Sequence, residues 1–224
     1  MKDIKLNFAH VYSRNPVDRG EIVRRDDEWI ADKAKDTTSK FLPLKDLNIL
    51  VTEGTEESLG WVGPTDLERL GVASKPILLG LLDGRALFTV DISTQDKAVA
   101  EWSEGNGFRF VDARSVTDII SAADAGIVAQ ARAQVNWHNV NGYCAICGGE
   151  TLMGRGGQVR KCSKCEKENY PRTDPVIIVV VSDGDRCLLG QSRRGRLNRT
   201  NTCLLYTSDA ADERSSVDLG GRRI

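Results

Sequence analysis

Short apolar runs separated by charged turns dominate the first half of the chain. Phe41-Leu42-Pro43-Leu44 and Asn48-Ile49-Leu50-Val51 are strand-like, as are Pro76 to Leu82 and Arg85 to Val90. The last two flank Asp83-Gly84, residue types that tolerate positive φ, so a hairpin is expected there. Gly105-Asn106-Gly107 marks another turn before Phe108-Arg109-Phe110-Val111, which alternates as a half-buried strand does. Thr65-Asp66-Leu67-Glu68 fits a capping box that opens a short helix, with Gly71 to stop it. Residues 1–120 thus read as a mixed α+β domain with mostly antiparallel strands.

From Ser121 the period changes. Ser121 and Asp124 have capping-box spacing, and Ile127, Val128, Ala131 and Val135 recur three and four apart. An amphipathic, Ala-rich linking helix of about four turns is expected over 121–140, ended by Asn141-Gly142. Farther on, Val176 to Val181 is a run of six β-branched residues, as in a strand buried on both faces. Ser182-Asp183-Gly184-Asp185 is then a turn and Arg186 to Gln191 the returning strand. A new domain begins near Tyr170.

Composition narrows the class. Of 224 residues 40% are hydrophobic, so a core is affordable, and 31 basic against 32 acidic side chains leave no global field to recruit nucleic acid or an anionic membrane. The longest apolar runs fall far short of the ~20 residues of a membrane span, and the N-terminus has no apolar signal-like stretch. A cytoplasmic protein without a membrane partner is expected.

The six cysteines add chemistry. Cys144-Ala-Ile-Cys147 and Cys162-Ser-Lys-Cys165 are two C-x2-C pairs separated by fourteen residues, while Cys187 and Cys203 stand alone. Each pair can aim two thiolates at one ion, and zinc takes four ligands tetrahedrally. Gly148-Gly149 lets the chain turn away from the ion, and Thr151 to Lys161 reads as a hairpin arm, so 141–169 is a zinc-ribbon pattern. Four thiolates leave no open position for substrate, which makes the expected Zn2+ structural. Two disulfides or four unconnected thiols are the alternatives. Arg155, Arg160, Lys161, Lys164 and Lys167 make the ribbon locally basic; Glu150, Glu166 and Glu168 dilute that charge, and a solvated surface is the preferred reading over an RNA-binding one.

With Ala131-Arg132-Ala133 to Trp137-His138, the two cysteine pairs, Tyr170-Pro171-Arg172-Thr173-Asp174-Pro175 and Leu188-Leu189-Gly190-Gln191 in view, the chain resembles the NADH pyrophosphatases (NAD diphosphatases, NAD-capped RNA hydrolases) of the Nudix hydrolase superfamily. The resemblance implies hydrolysis of NADH or NAD to nicotinamide mononucleotide and AMP, with NAD-capped RNA as a further substrate. It implies a homodimer, structural zinc on Cys144, Cys147, Cys162 and Cys165, and catalytic Mg2+ or Mn2+ held by glutamates of a Nudix box. Tyr170 matches a substrate-contacting tyrosine; packing at a domain junction is its alternative. The implied fold is α+β: the N-terminal domain, the ribbon, and the opening strands of an incomplete Nudix α/β/α sandwich over 170–204.

The box itself does not occur in these residues. Glu213 is the single glutamate after Glu168, and no Arg-Glu-x-x-Glu-Glu string exists. Glu56-Glu57 lacks the required glycine spacing. Residues 205–224 depart from the family and carry no core-facing period, so they are expected to be a foreign, read-through tail, and this polypeptide is expected to be catalytically incompetent. Arg193, Arg194, Arg196 and Arg199 read as solvated, His138 as a packing or capping residue, and His10 has no constellation around it. A non-catalytic zinc-ribbon module binding RNA or protein is the alternative function.

Overall fold

The computed structural model describes residues 11–54, 57–172, 182–187, 189–191 and 200–202, and divides into a unit ending at Pro171 and a unit beginning at Arg172. In the first, five strands form one sheet: β1 (Lys40–Lys45), β2 (Asn48–Thr52), β3 (Ile77–Leu82), β4 (Arg85–Asp91) and β5 (Phe108–Val111), in the order β3-β4-β1-β2-β5. All neighbours are antiparallel except β1 and β4, so the mixed α+β expectation holds.

The strands alternate into two cores. Leu42, Leu44, Ile49, Val51, Leu79 and Leu87 point to one face, and Phe41, Leu50, Leu78 and Phe88 to the other, where Phe41 and Phe88 stack with centroids 5.1 Å apart. Both faces are covered, which is why the strands read as continuous apolar runs. The first face is covered by α4 (Ala122–Val140) through Ile127, Val128, Ala131 and Val135. This helix has nineteen residues, slightly more than five turns rather than four, and it is built into the core. Ser121 Oγ accepts from the Asp124 backbone N–H at 3.1 Å, as expected; the Asp124 carboxylate meets the Ser121 hydroxyl instead of closing the box on the backbone.

The second face is covered by two helices that the apolar pattern does not predict. In α1 (Asp27–Lys35) Asp26 caps the backbone N–H groups of Glu28 and Trp29, and Trp29, Ile30 and Ala34 meet the sheet. In α3 (Asp96–Gly105) Val99 and Trp102 do so. Each apolar face is only two or three side chains wide, too short to register as a period. Between them lies α2 (Pro64–Arg69), where Gly63, not Thr65, is the cap. Pro64 opens the helix, and Asp66 Oδ2 accepts from the Gly63 N–H at 3.0 Å.

Residues 13–25 form a strap along the open edge of β3. Asp18 and Leu81 exchange both backbone hydrogen bonds, at 2.9 and 2.7 Å, which closes that edge. Gly80 makes room: its φ is +146°, and a Cβ there would lie 2.0 Å from the Asp18 carbonyl oxygen. Pro43, inside β1, lies where the ladder to β2 has opened, since β1 pairs β2 only at Leu44 and Lys45.

In the second unit, β9 (Ser182–Asp183) and β10 (Arg186–Cys187) form a hairpin around Gly184, and β11 (Leu189–Gln191) pairs with β12 (Thr200–Thr202). The expected strand Val176 to Val181, Asp174, the Arg193–Arg199 cluster, His10 and residues 205–224 lie outside the described residues.

Candidate metal centre

After α4 the chain makes a small three-stranded sheet, β6 (Thr151–Gly154), β7 (Val159–Cys162) and β8 (Glu168–Asn169), in that order and antiparallel. The first knuckle, at Cys144 and Cys147, and the second, at Cys162 and Cys165, face each other at its end. All four sulfurs lie within 4.8 Å of one another, with Cys144 Sγ–Cys165 Sγ at 3.7 Å and Cys147 Sγ–Cys162 Sγ at 3.5 Å. A zinc tetrathiolate with Zn–S bonds of about 2.3 Å has S···S edges of about 3.8 Å. None of the four is in a disulfide. They are positioned to hold a metal ion, and they are the one such cluster among the described residues.

Local backbone builds this cage. Gly148 turns at φ +68°, and its N–H donates to the Cys144 carbonyl at 2.9 Å. The N–H groups of Cys165 and Lys164 both point at Cys162 Sγ at 3.4 Å, and they hold that thiol down at about 6. At Cys165 the Lys167 N–H favours the thiolate, but the adjoining Cys147 and Cys162 sulfurs outweigh it and push the thiol up to about 12. Four mutually repelling thiolates cannot coexist at this distance without a cation between them, so the donor set fits a divalent, thiophilic ion.

The ribbon is clamped to the sheet and α4. Gly156 and Gly157 at its hairpin tip rest on Leu78, Ile30 and Ile77, and a Cβ on Gly157 would come 2.6 Å from Ile77 Cγ2. His138 Nε2 donates to the Gly157 carbonyl at 2.9 Å, and Arg160 Nη1 donates to His138 Nδ1 at 2.9 Å. Arg160 also donates from Nε to Thr151 Oγ1 and from Nη2 to the Thr151 carbonyl, both at 2.7 Å. Burial, together with Arg160, pushes the His138 imidazole down to about 4 against the Gly157 bond, so it is neutral at pH 7. His138 therefore packs and bonds as expected. Arg160 departs from the solvated-surface expectation: it is the keystone of this joint. Nothing in the sequence sets it apart from the other cations of the ribbon; its place opposite Met153 follows from the β6–β7 register.

Tyr170 is 45% exposed and donates its hydroxyl to Glu168 Oε2, whose charge pushes the phenol up. Arg155 of the same unit lies near enough to oppose that shift in part. Glu57, rejected as part of a Nudix box, is in a 2.6 Å ion pair with Arg109.

Residues 38–137, spanning β1 to the last turn but one of α4, match the family described as "NADH pyrophosphatase-like rudimentary NUDIX domain". This stretch is thus similar to a rudimentary NUDIX domain. Similar full-length proteins point the same way. The chain is 33% identical over 153 residues to "Nudix hydrolase 19, chloroplastic" of Arabidopsis thaliana, covering 62% of this chain and 30% of that protein. It is 27% identical over 224 aligned positions to human "NAD-capped RNA hydrolase NUDT12", covering 82% and 48%. With human "NAD(P)H pyrophosphatase NUDT13, mitochondrial" the identity is 34% over 82 residues, covering 37% and 23%. The chain thus spans less than half the length of these relatives. The resemblance to NADH pyrophosphatases is supported, and the matched stretch lies ahead of the cysteine knuckles in the chain.

Proposed function

We propose that these residues are the N-terminal and ribbon portion of a Nudix hydrolase that cleaves NADH or NAD at the pyrophosphate, yielding nicotinamide mononucleotide and AMP, with NAD-capped RNA as a further substrate. The observation that carries the reading is the rudimentary NUDIX domain at 38–137 followed by the four-cysteine cage, in a chain whose relatives bear the names NAD-capped RNA hydrolase and NAD(P)H pyrophosphatase. In this reading the ion on Cys144, Cys147, Cys162 and Cys165 is a structural Zn2+, and its role is to shape the ribbon. Tyr170, solvent-open at the end of β8, is the proposed substrate contact. Mg2+ or Mn2+ supplies charge neutralisation and water activation where Nudix-box glutamates hold it. The protein is proposed to be cytoplasmic and homodimeric in the form that carries the box. No helix among the described residues is long and apolar enough to cross a membrane.

The 224 residues contain no Nudix box, so this polypeptide is proposed to bind one zinc and to leave NADH intact. Incubation with NADH and Mg2+ should yield no AMP above background, whereas the same residues joined to a box-bearing C-terminal domain of a relative should yield it. AMP from the polypeptide alone would mean that the metal-binding acids lie elsewhere. The RNA-binding alternative is favoured instead if RNA affinity disappears on chelation while NAD stays intact in both forms.

A further inference from the structure

Within the cage, where all four sulfurs lie within 4.8 Å of one another, two sulfur–sulfur contacts cross from one knuckle to the other. The 3.7 Å and 3.5 Å contacts join Cys144 to Cys165 and Cys147 to Cys162, residues twenty-one and fifteen apart, so each contact ties the first knuckle to the second. Exposure is uneven: Cys165 is open to solvent, Cys147 is intermediate, and Cys144 and Cys162 are buried. Metal ligation keeps all four as thiolates, the form that attacks an oxidant, and access then decides which reacts first. Cys165 is the sulfur that a dissolved oxidant meets.

We propose that the ribbon is a peroxide-sensitive metal switch, in which oxidation closes the Cys144–Cys165 and Cys147–Cys162 disulfides and releases the ion. The proposal rests on the metal reading above. The Cys165 thiolate attacks hydrogen peroxide; the O–O bond breaks, hydroxide leaves, and Cys165 becomes a sulfenic acid. The Cys144 thiolate then attacks the Cys165 sulfur, an S–S bond forms, and a second hydroxide leaves. A second peroxide converts Cys147 and Cys162 in the same way. Each pair gives up two electrons and each peroxide becomes two hydroxides, so four thiolates and two peroxides yield two disulfides, four hydroxides and a free ion.

Because both disulfides bridge the knuckles, the oxidised ribbon keeps the chain path of the loaded one, and its Gly156-Gly157 tip stays seated on Ile77 and Leu78. Closure within each C-x2-C pair would leave the knuckles untethered. The cross-knuckle assignment is therefore the informative part of the proposal.

The experiment uses the full chain, both as it stands and with Cys187→Ser and Cys203→Ser, which remove the thiols outside the ribbon. Bound zinc is first counted by elemental analysis; a chain without about one ion overturns the metal reading and this proposal with it. Hydrogen peroxide is then added, release is followed with a chromogenic chelator, and disulfides are mapped on unreduced peptides. The expected result is one equivalent released, Cys144–Cys165 and Cys147–Cys162 peptides, and reversal by dithiothreitol with added zinc. A zinc-loaded chain that keeps its ion, forms Cys144–Cys147 and Cys162–Cys165, or stops at sulfinic acid on Cys165 overturns the switch while leaving the metal reading intact.

Discussion

At the scale of single residues, two cations, Arg24 and Arg160, occupy positions that the sequence presents as ordinary surface charge. Arg24 is 2% exposed; its Nη2 donates to the Leu79 carbonyl at 2.8 Å, its Nε donates to the Arg19 carbonyl, and its Nη1 finds no partner among the described residues. Burial pushes its guanidinium down to about 10, still cationic at neutral pH. Truncation should uncap the Leu79 carbonyl and loosen the strap. Arg24→Ala is expected to lower unfolding stability by about 2–3 kcal/mol, in the range of lost charge-assisted hydrogen bonds, as read by urea denaturation. His138 gives a cleaner test, because the chain has only two histidines. Its folded pKa lies below the ordinary 6.5, so its contribution to stability is intact above about 6.5 and drains away as pH falls toward about 4. An NMR titration should show the His138 imidazole displaced strongly downward; His138 titrating at the ordinary value would mean the Gly157 and Arg160 contacts are not made.

At the scale of elements, the ribbon hairpin and the strap depend on close backbone approaches. Gly80→Ala would drive a methyl into the Asp18 carbonyl and hold φ in a region that L-residues avoid. A cost of about 2 kcal/mol or more is expected, since strained positions of this kind cost on the order of 1–3 kcal/mol, with loss of amide exchange protection at Asp18 and Leu81 as its local mark. The ribbon should behave differently. Its small sheet rests on Ile30, Ile77 and Leu78, and in the proposed reading it is stabilised by the ion. Chelation under reducing conditions, or Cys162→Ser, should therefore strip exchange protection from residues 151–162 first and leave β1, β2 and β4 protected. Uniform loss across the sheet would show that ribbon and domain unfold as one. That the strands were legible is no accident: Ile49-Leu50-Val51 is apolar without a break because both sheet faces are covered. The second helical layer, α1 and α3, was not legible, because its apolar faces are too short to be seen as a period.

At the scale of the whole molecule, α4 connects sheet and ribbon. It was expected as a link between two modules, and it instead fills one face of the sheet with Ile127, Val128, Ala131 and Val135 and presents His138 to the ribbon. A cleft of about 310 Å³ remains between α4, β3 and the ribbon, lined by Lys75, Asp91, Asn139 and Glu150 among others. The five-stranded domain and the ribbon are thus mechanically joined in the first unit. A fragment ending at Pro171 is expected to fold with metal and to show one cooperative transition in its presence, measured by calorimetry. Two well-separated transitions with zinc bound would contradict the joint made by Arg160, His138 and Gly157.

The amino-acid sequence by itself determined the strands of the five-stranded sheet, the long helix and the clustering of four sulfurs, because periodic burial and cysteine spacing are local properties written within a few residues. Only the tertiary structure decided which cations are structural, which helices close the second face, and that the ribbon sits on the sheet. Those outcomes depend on partners far apart in the chain, such as Arg24 with Leu79 or Arg160 with His138. A buried guanidinium looks the same in one dimension as a solvated one; its partners and its burial exist only once the chain has folded around it.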